Sequence, residues 1–226
     1  MDLLDWARGP FLVVAALVFV LGIAWRWLSL RRLPPPSAPA GPARLPFSRM
    51  QALGAALART LPRKGFGYSA TLVTVNPYLF HIGLALIVFG YAPHIDFVRR
   101  HTGLGWPALP DTVVYIAAGV TIVSLLLALM FRLTDPVLRR ISRSDDIITW
   151  AVTMLPLLTG MAALTESSAA ILARGDVLYR APLAMHLLSV ELLLVWFPFG
   201  KLMHTFLVFP GRMQLAIFLG RRGVRS

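Results

Sequence analysis

The sequence predicts an all-α fold, a polytopic membrane bundle of five transmembrane helices with the N-terminus outside and the C-terminus inside. Three observations predict it. Of the 226 residues, 57% are hydrophobic and 14% charged, against about 25% charged in an average globular chain. The apolar residues gather into runs of about 20 residues, the length that crosses a bilayer as a helix. The basic excess, 22 Lys and Arg against 10 Asp and Glu for a net charge of +12, is sorted by side of the membrane, so no nucleic-acid partner is expected.

The first run, at about 10–29, is followed and not preceded by its basic residues Arg26, Arg31 and Arg32, which marks a membrane span and not a signal peptide. A basic, proline-rich cytoplasmic linker is expected over 31–77. Within it, Pro34-Pro35-Pro36 through Pro42 has extended-linker composition, and 46–63 has weak amphipathic character suited to a surface or docking helix. Four more spans are expected at about 78–99, 112–131, 147–172 and 182–208, together a membrane domain over 78–209, followed by a basic tail over 210–226. Asn76-Pro77 opens the second span, and Asp145 and Asp146 stand before the fourth, where carboxylates suit a helix N-terminus. Trp25, Trp27 and Trp106 are expected as interfacial anchors, and Gly83, Gly90 and Gly119 as points of close helix packing.

Orientation follows from the loops. Arg26, Arg31, Arg32, Arg44, Arg49, Arg59, Arg63 and Lys64 lie between the first and second spans. Arg132, Arg139, Arg140 and Arg143 follow the third; Lys201, Arg212, Arg221, Arg222 and Arg225 lie at the C-terminal end. These groups are placed inside, and the second and fifth helices are then antiparallel.

The chain has no cysteine, so it builds no disulfide, no thiolate-bound iron-sulfur cluster and no catalytic thiol. It has five histidines, and ionisable groups inside spans are candidates for function. His81 and His204 fall at the same depth near the inner ends of the second and fifth helices. His186 lies 18 residues before His204, about 27 Å of ideal helix, and His94 lies 13 residues after His81, about 20 Å. A pair of histidines at each membrane face is what two stacked b-type haems require, with one imidazole from each side of each iron. A lone histidine near a helix end is ordinarily an interfacial group bonded to carbonyls or headgroups; matching depth sets His81 and His204 apart from that. Zinc and di-iron sites are not expected, since acids are nearly absent from the spans and no HxxxH or ExxH spacing occurs. Glu191, the acid well inside a span, either carries a proton or bonds a neighbouring helix.

Leu79-Phe80-His81-Ile82-Gly83 with Gly90, and His186 followed by Phe197-Pro198-Phe199-Gly200-Lys201-Leu202-Met203-His204, resemble the gamma (cytochrome b) subunit of respiratory nitrate reductase. The wider group includes the membrane subunits of heterodisulfide-reductase-like and sulfite-reduction-associated complexes. The resemblance covers about 78–209. It implies haem b, one or two per chain, with quinone as exchangeable substrate and a cytoplasmic iron-sulfur subunit as partner, in a bacterial cytoplasmic membrane. Position by position, it makes His81 and His204 the ligands of the inner haem and His186 one ligand of the outer. Where the family has its fourth histidine, this chain has Tyr91. Either His94 replaces that ligand, or Tyr91 ligates or lines the pocket, or the outer haem is absent. Lys201 matches a basic family position, suited to a haem propionate, and equally suits snorkelling to the inner headgroups. The function expected is electron transfer between quinone and the iron-sulfur partner, with quinol oxidised toward the outer face. Basic inner segments would meet that partner and anionic lipid. The alternative is a haem-free or haem-poor anchor or assembly subunit of a redox complex.

Overall fold

A computed structural model describes residues 2–32, 47–58, 68–164 and 177–222. These hold helices and turns and no strand. The helices are α1 (Leu3–Arg31), α2 (Arg49–Ala58), α3 (Tyr68–Gly90), α4 (Ala92–Thr102), α5 (Asp111–Thr134), α6 (Pro136–Ile141), α7 (Ser144–Leu164), α8 (Val177–Trp196) and α9 (His204–Gly220). Among the described residues, Leu3–Arg31, Asp111–Thr134, Ser144–Ala163 and Lys201–Gly220 are each long and apolar enough to cross a membrane. Thr74–Gly90 with Ala92–Thr102 makes a further candidate span, bent by 60°. The chain is a multi-pass helical membrane protein.

Two expected spans are broken, and proline accounts for both. The run at 78–99 is α3 and α4 with Tyr91 between them. Pro93 has no N–H for the carbonyl of Phe89, four residues earlier, so α3 stops and α4 restarts with Pro93 in its first turn, where the missing donor costs nothing. The run at 182–208 is α8, a turn at 197–200, a 3-10 turn at Lys201–Met203, and α9. Pro198 removes the donor that α8 needs to continue, and the amides of Phe199 and Gly200 turn back to the Trp196 carbonyl at 3.1 and 3.0 Å. The tail expected from 210 begins inside α9, which runs to Gly220. The expected 147–172 span is α7 to Leu164; its remainder, and 33–46 and 59–67 of the linker, lie outside the described residues.

The chain divides into two units, Met1–Val14 with Gly65–Leu193, and Ala15–Lys64 with Leu194–Ser226. In the larger unit the closest packing is between α3 and α5. Gly83 makes it possible: a Cβ there would run into Thr121 Oγ1 and lie 3.2 Å from the Ala117 carbonyl. One helical stretch away, Asn76 Nδ2 donates to the Ser124 carbonyl at 2.9 Å and the Ser124 hydroxyl bonds Asn76 Oδ1 at 2.8 Å, both residues buried. Trp150 Nε1 joins α7 to α5 through the Leu125 carbonyl at 2.8 Å. Asp135 caps α6 by accepting from the amides of Val137 and Leu138, each at 2.8 Å. Asp146 accepts from the Arg143 amide at 2.9 Å and pairs with Arg132 at 3.1 Å. In the smaller unit, Ala52 and Ala56 of α2 and Ala216 of α9 are buried, the two helices packing on each other. Phe47 lies against Gly220, and the buried Pro198 ring occupies the space a Cβ on Gly22 would need.

Candidate functional site

The site is built around the broken helix. Ending a helix inside apolar surroundings orphans its last carbonyls, each of which needs a donor. At the end of α3 every carbonyl from Ile87, Phe89 and Gly90 has one. The Phe89 carbonyl, which Pro93 cannot serve, receives the Trp106 indole N–H at 2.6 Å. The Gly90 carbonyl receives the Leu109 amide at 2.8 Å. The Ile87 carbonyl receives the Tyr91 amide at 3.3 Å and lies 2.9 Å from His94 Nδ1. A carbonyl only accepts, so the proton on His94 is at Nδ1 and Nε2 keeps its lone pair.

His186 on α8 has the same tautomer fixed by different partners. Its Nδ1 lies 3.3 Å from Thr159 Oγ1 on α7, and the Thr159 hydroxyl donates to the Leu155 carbonyl at 2.7 Å. Thr159 therefore accepts from His186, and a Pro156 backbone contact adds a second acceptor. The Ser189 hydroxyl donates to the His186 carbonyl at 2.7 Å, and its oxygen lies 2.8 Å from Thr159 Oγ1 on α7. Gly160 leaves room for the ring: a Cβ there would lie 3.1 Å from His186 Cε1 and 3.3 Å from Nδ1.

These elements bring His94 and His186 together, with ring centres 6.2 Å apart and planes inclined by 21°. Both are half-buried. Tyr91 stands beside them, its ring edge-on to His94 at 5.3 Å and 84°. Among the described residues no group of three or more His, Cys, Asp or Glu converges on a metal position. A structural or catalytic zinc needs at least three protein ligands; a haem, which brings four nitrogens of its own, needs two.

The other expected ligands are placed as follows. His81 is exposed on α3, with Nδ1 2.6 Å from the Pro77 carbonyl. His204 is exposed at the start of α9, with Nδ1 2.9 Å from the carbonyl of Lys201. His81 belongs to the larger unit and His204 to the smaller, so neither unit contains the expected inner pair. His186 and His204 are on different helices, and the straight 27 Å between them that a continuous helix would give does not apply. Lys201 is exposed in the 3-10 turn. Glu191 is 5% exposed, and its Oε1 has no hydrogen-bond partner. Sequence reasoning missed Thr159, Ser189 and Trp106 as parts of this site. Pro93 was the available signal for Trp106, since a proline in an apolar run orphans a carbonyl that something must serve.

No family model matches the chain, and no solved structure matches it. It is similar to a protein of Nitratidesulfovibrio vulgaris, 31% identical over 144 residues. The match spans 64% of this chain and 60% of the length of that relative.

Proposed function

We propose that the chain is a membrane cytochrome b subunit of the bacterial cytoplasmic membrane, passing electrons between the quinone pool and a cytoplasmic iron-sulfur partner through one or two haem b groups. The observation that carries this reading is the state of four histidines. Nδ1 of His81, His94 and His204 each meets a backbone carbonyl, and Nδ1 of His186 meets a hydroxyl. With Nδ1 engaged in this way, Nε2 is the nitrogen that would ligate a haem iron, in the outer-shell arrangement that metal-binding histidines use. Bound haem would supply the one-electron couple. The chain's own residues do the rest: apolar helices exclude water from the site, and Thr159 and the Ile87 carbonyl hold the two outer imidazoles in place. Lys201 offers a cation for a propionate. The basic stretches around Arg49 and Arg221 offer a surface for an acidic partner and anionic lipid.

Tyr91, standing where the resembling family has a histidine, favours a second reading, a haem-free anchor subunit of a redox complex. A pyridine haemochrome assay on the purified full chain separates the two. One or two equivalents of haem b per chain support the cytochrome, and their loss in His81→Ala and His204→Ala ties the inner haem to those residues. A chain purified without haem under haem-replete expression sinks the cytochrome reading and leaves the anchor.

A further inference from the structure

We infer that the pocket between α4 and the 103–110 loop binds the headgroup of a phospholipid carrying both a phosphate and a primary ammonium, with Arg99 taking the phosphate and Asp96 the ammonium. This site is independent of the haem reading above.

The register of α3 against α5 locates the pocket. Asn76 meets Ser124, Gly83 meets Thr121, and Gly90 meets Leu109 just before α5, so the two helices are antiparallel and 91–110 joins them at one end. Both helices belong to candidate spans, which sets 91–110 at one face of the membrane. The chain bends by 60° between α3 and α4, so α4 runs more along that face than through it. Its residues suit the boundary: Ile95 is buried, whereas Arg99, Arg100 and His101 are exposed.

The loop is tied back to the helices it follows. The Gly103 amide donates to the Arg99 carbonyl at 2.9 Å, and φ of 78° at Gly103 reverses the chain. Trp106 and Leu109 then reach the Phe89 and Gly90 carbonyls. Between loop and helix lies an open pocket of about 430 Å³, where Ala92, Gly105 and Ala108 add little bulk. A Cβ on Gly105 would lie 3.2 Å from Arg99 Cδ; without one, the Arg99 stem lies along the loop and its head pairs with Asp96 Oδ1 at 2.8 Å.

The two charges select the ligand. The side chains of Arg99 and Asp96 are 65% and 50% exposed, and a pair so exposed adds little stability, so exchanging each partner for a ligand group costs little. An anionic headgroup would satisfy Arg99 and be repelled by Asp96; a zwitterion satisfies both. The guanidinium donates to phosphate oxygens, and the carboxylate accepts N–H bonds from a primary ammonium, which a quaternary ammonium lacks. Trp106 lines the same pocket, an amphipathic ring of the kind that sits at headgroup level. The Phe89 ring, 6.4 Å from it and well exposed, continues the apolar surface for an acyl chain.

The test uses the full chain purified in detergent, with phosphatidylethanolamine, phosphatidylcholine or phosphatidylglycerol added in defined amounts and bound lipid read by native mass spectrometry. Wild-type protein is expected to hold one phosphatidylethanolamine about ten-fold more tightly than either other lipid. Arg99→Gln is expected to weaken that binding about ten-fold, and Ala108→Phe to do the same by filling the pocket with both charges kept. Asp96→Asn is expected to erase the preference for phosphatidylethanolamine over phosphatidylcholine, the readout that a merely structural ion pair would not move. Wild-type protein holding all three lipids alike overturns the assignment, as does binding unchanged in Arg99→Gln and Ala108→Phe. Soluble glycerophosphoethanolamine binding as tightly as the lipid would make this a site for a free phosphoester and overturn the lipid as its occupant.

Discussion

Asn76 and Ser124 exchange hydrogen bonds across α3 and α5 from positions 48 residues apart. In water such groups could stay solvated if separated; between membrane helices the alternative is an unsatisfied polar group in hydrocarbon. Measured interhelical hydrogen bonds in membranes are worth about 0.6 to 1.7 kcal/mol. Ser124→Ala is therefore expected to lower stability by about that amount, and Asn76→Leu by more, because it also strips the Ser124 carbonyl of its donor. Thermal unfolding in detergent checks both, and an unchanged Tm in Asn76→Leu would rule out the clasp as a stabilising contact. Asp146 makes a similar case at the end of the bundle. Its side chain is 4% exposed, it serves the Arg143 amide, and it faces Arg132, which is about one-third exposed. Asp146→Ala is expected to cost about 1–3 kcal/mol, below the roughly 3–5 kcal/mol of a fully buried pair because Arg132 can turn to water. From the sequence, Asn76 reads as a helix start beside Pro77 and Asp146 as a cap. The cap is local, and the amide of Arg143 three residues away makes it legible. The clasp is not, because nothing in an apolar run says which residue of which other helix will face Asn76.

The elements follow the apolar runs, and the helix breaks follow proline. α1 and α5 cover expected spans, and α7 the described part of the fourth, because each run is continuous and its interior prolines are tolerated within the helix. Pro156 lies inside α7 and Pro10 inside a short π-helical stretch of α1, whereas Pro93 and Pro198 end helices. The difference lies in the turn around each one. After Tyr91 the chain has donors ready for the freed carbonyls, and after Trp196 the Pro198 ring is buried where Gly22 leaves room for it. The positions of the prolines are visible in sequence; the returning donors are not, since Trp106 reads as an interfacial anchor and nothing in the sequence shows its bond to the Phe89 carbonyl. Trp106→Phe keeps the ring and deletes the N–H, leaving the Phe89 carbonyl without a donor, at an expected cost of about 1–3 kcal/mol. The loss should be local to the break. Hydrogen exchange is expected to rise across α4 while α5 and α7 keep their protection, and protection unchanged in α4 would show that the bend does not depend on the indole.

At the scale of the whole molecule the question is which helices cross. Lys201–Gly220 passes a length and composition test for a span with a mean hydropathy of 1.3, against 2.3 for Leu3–Arg31 and 2.5 for Asp111–Thr134. It begins with Lys201, carries Arg212 in its middle and is followed by Arg221 and Arg222. Basic residues at both ends violate the charge asymmetry that orients a crossing helix. α9 also packs on α2, a helix of the basic segment expected on the inner face, with Ala52, Ala56 and Ala216 buried. Phe206, Phe209, Leu215 and Phe218 remain exposed, as in a helix lying at the boundary between headgroups and acyl chains. α9 is thus expected to rest on the inner surface, which keeps the C-terminus inside even though the helix extends ten residues beyond the expected start of the tail at 210. Because the chain has no cysteine, single substitutions report sidedness without background. Leu104→Cys is expected to react with a membrane-impermeant maleimide from outside in intact cells. Val137→Cys in α6 and Arg222→Cys after α9 are expected to react only when the inner face is opened. Labelling of Arg222→Cys from outside, with Val137→Cys still protected, would make Lys201–Gly220 a true span and reverse the C-terminus.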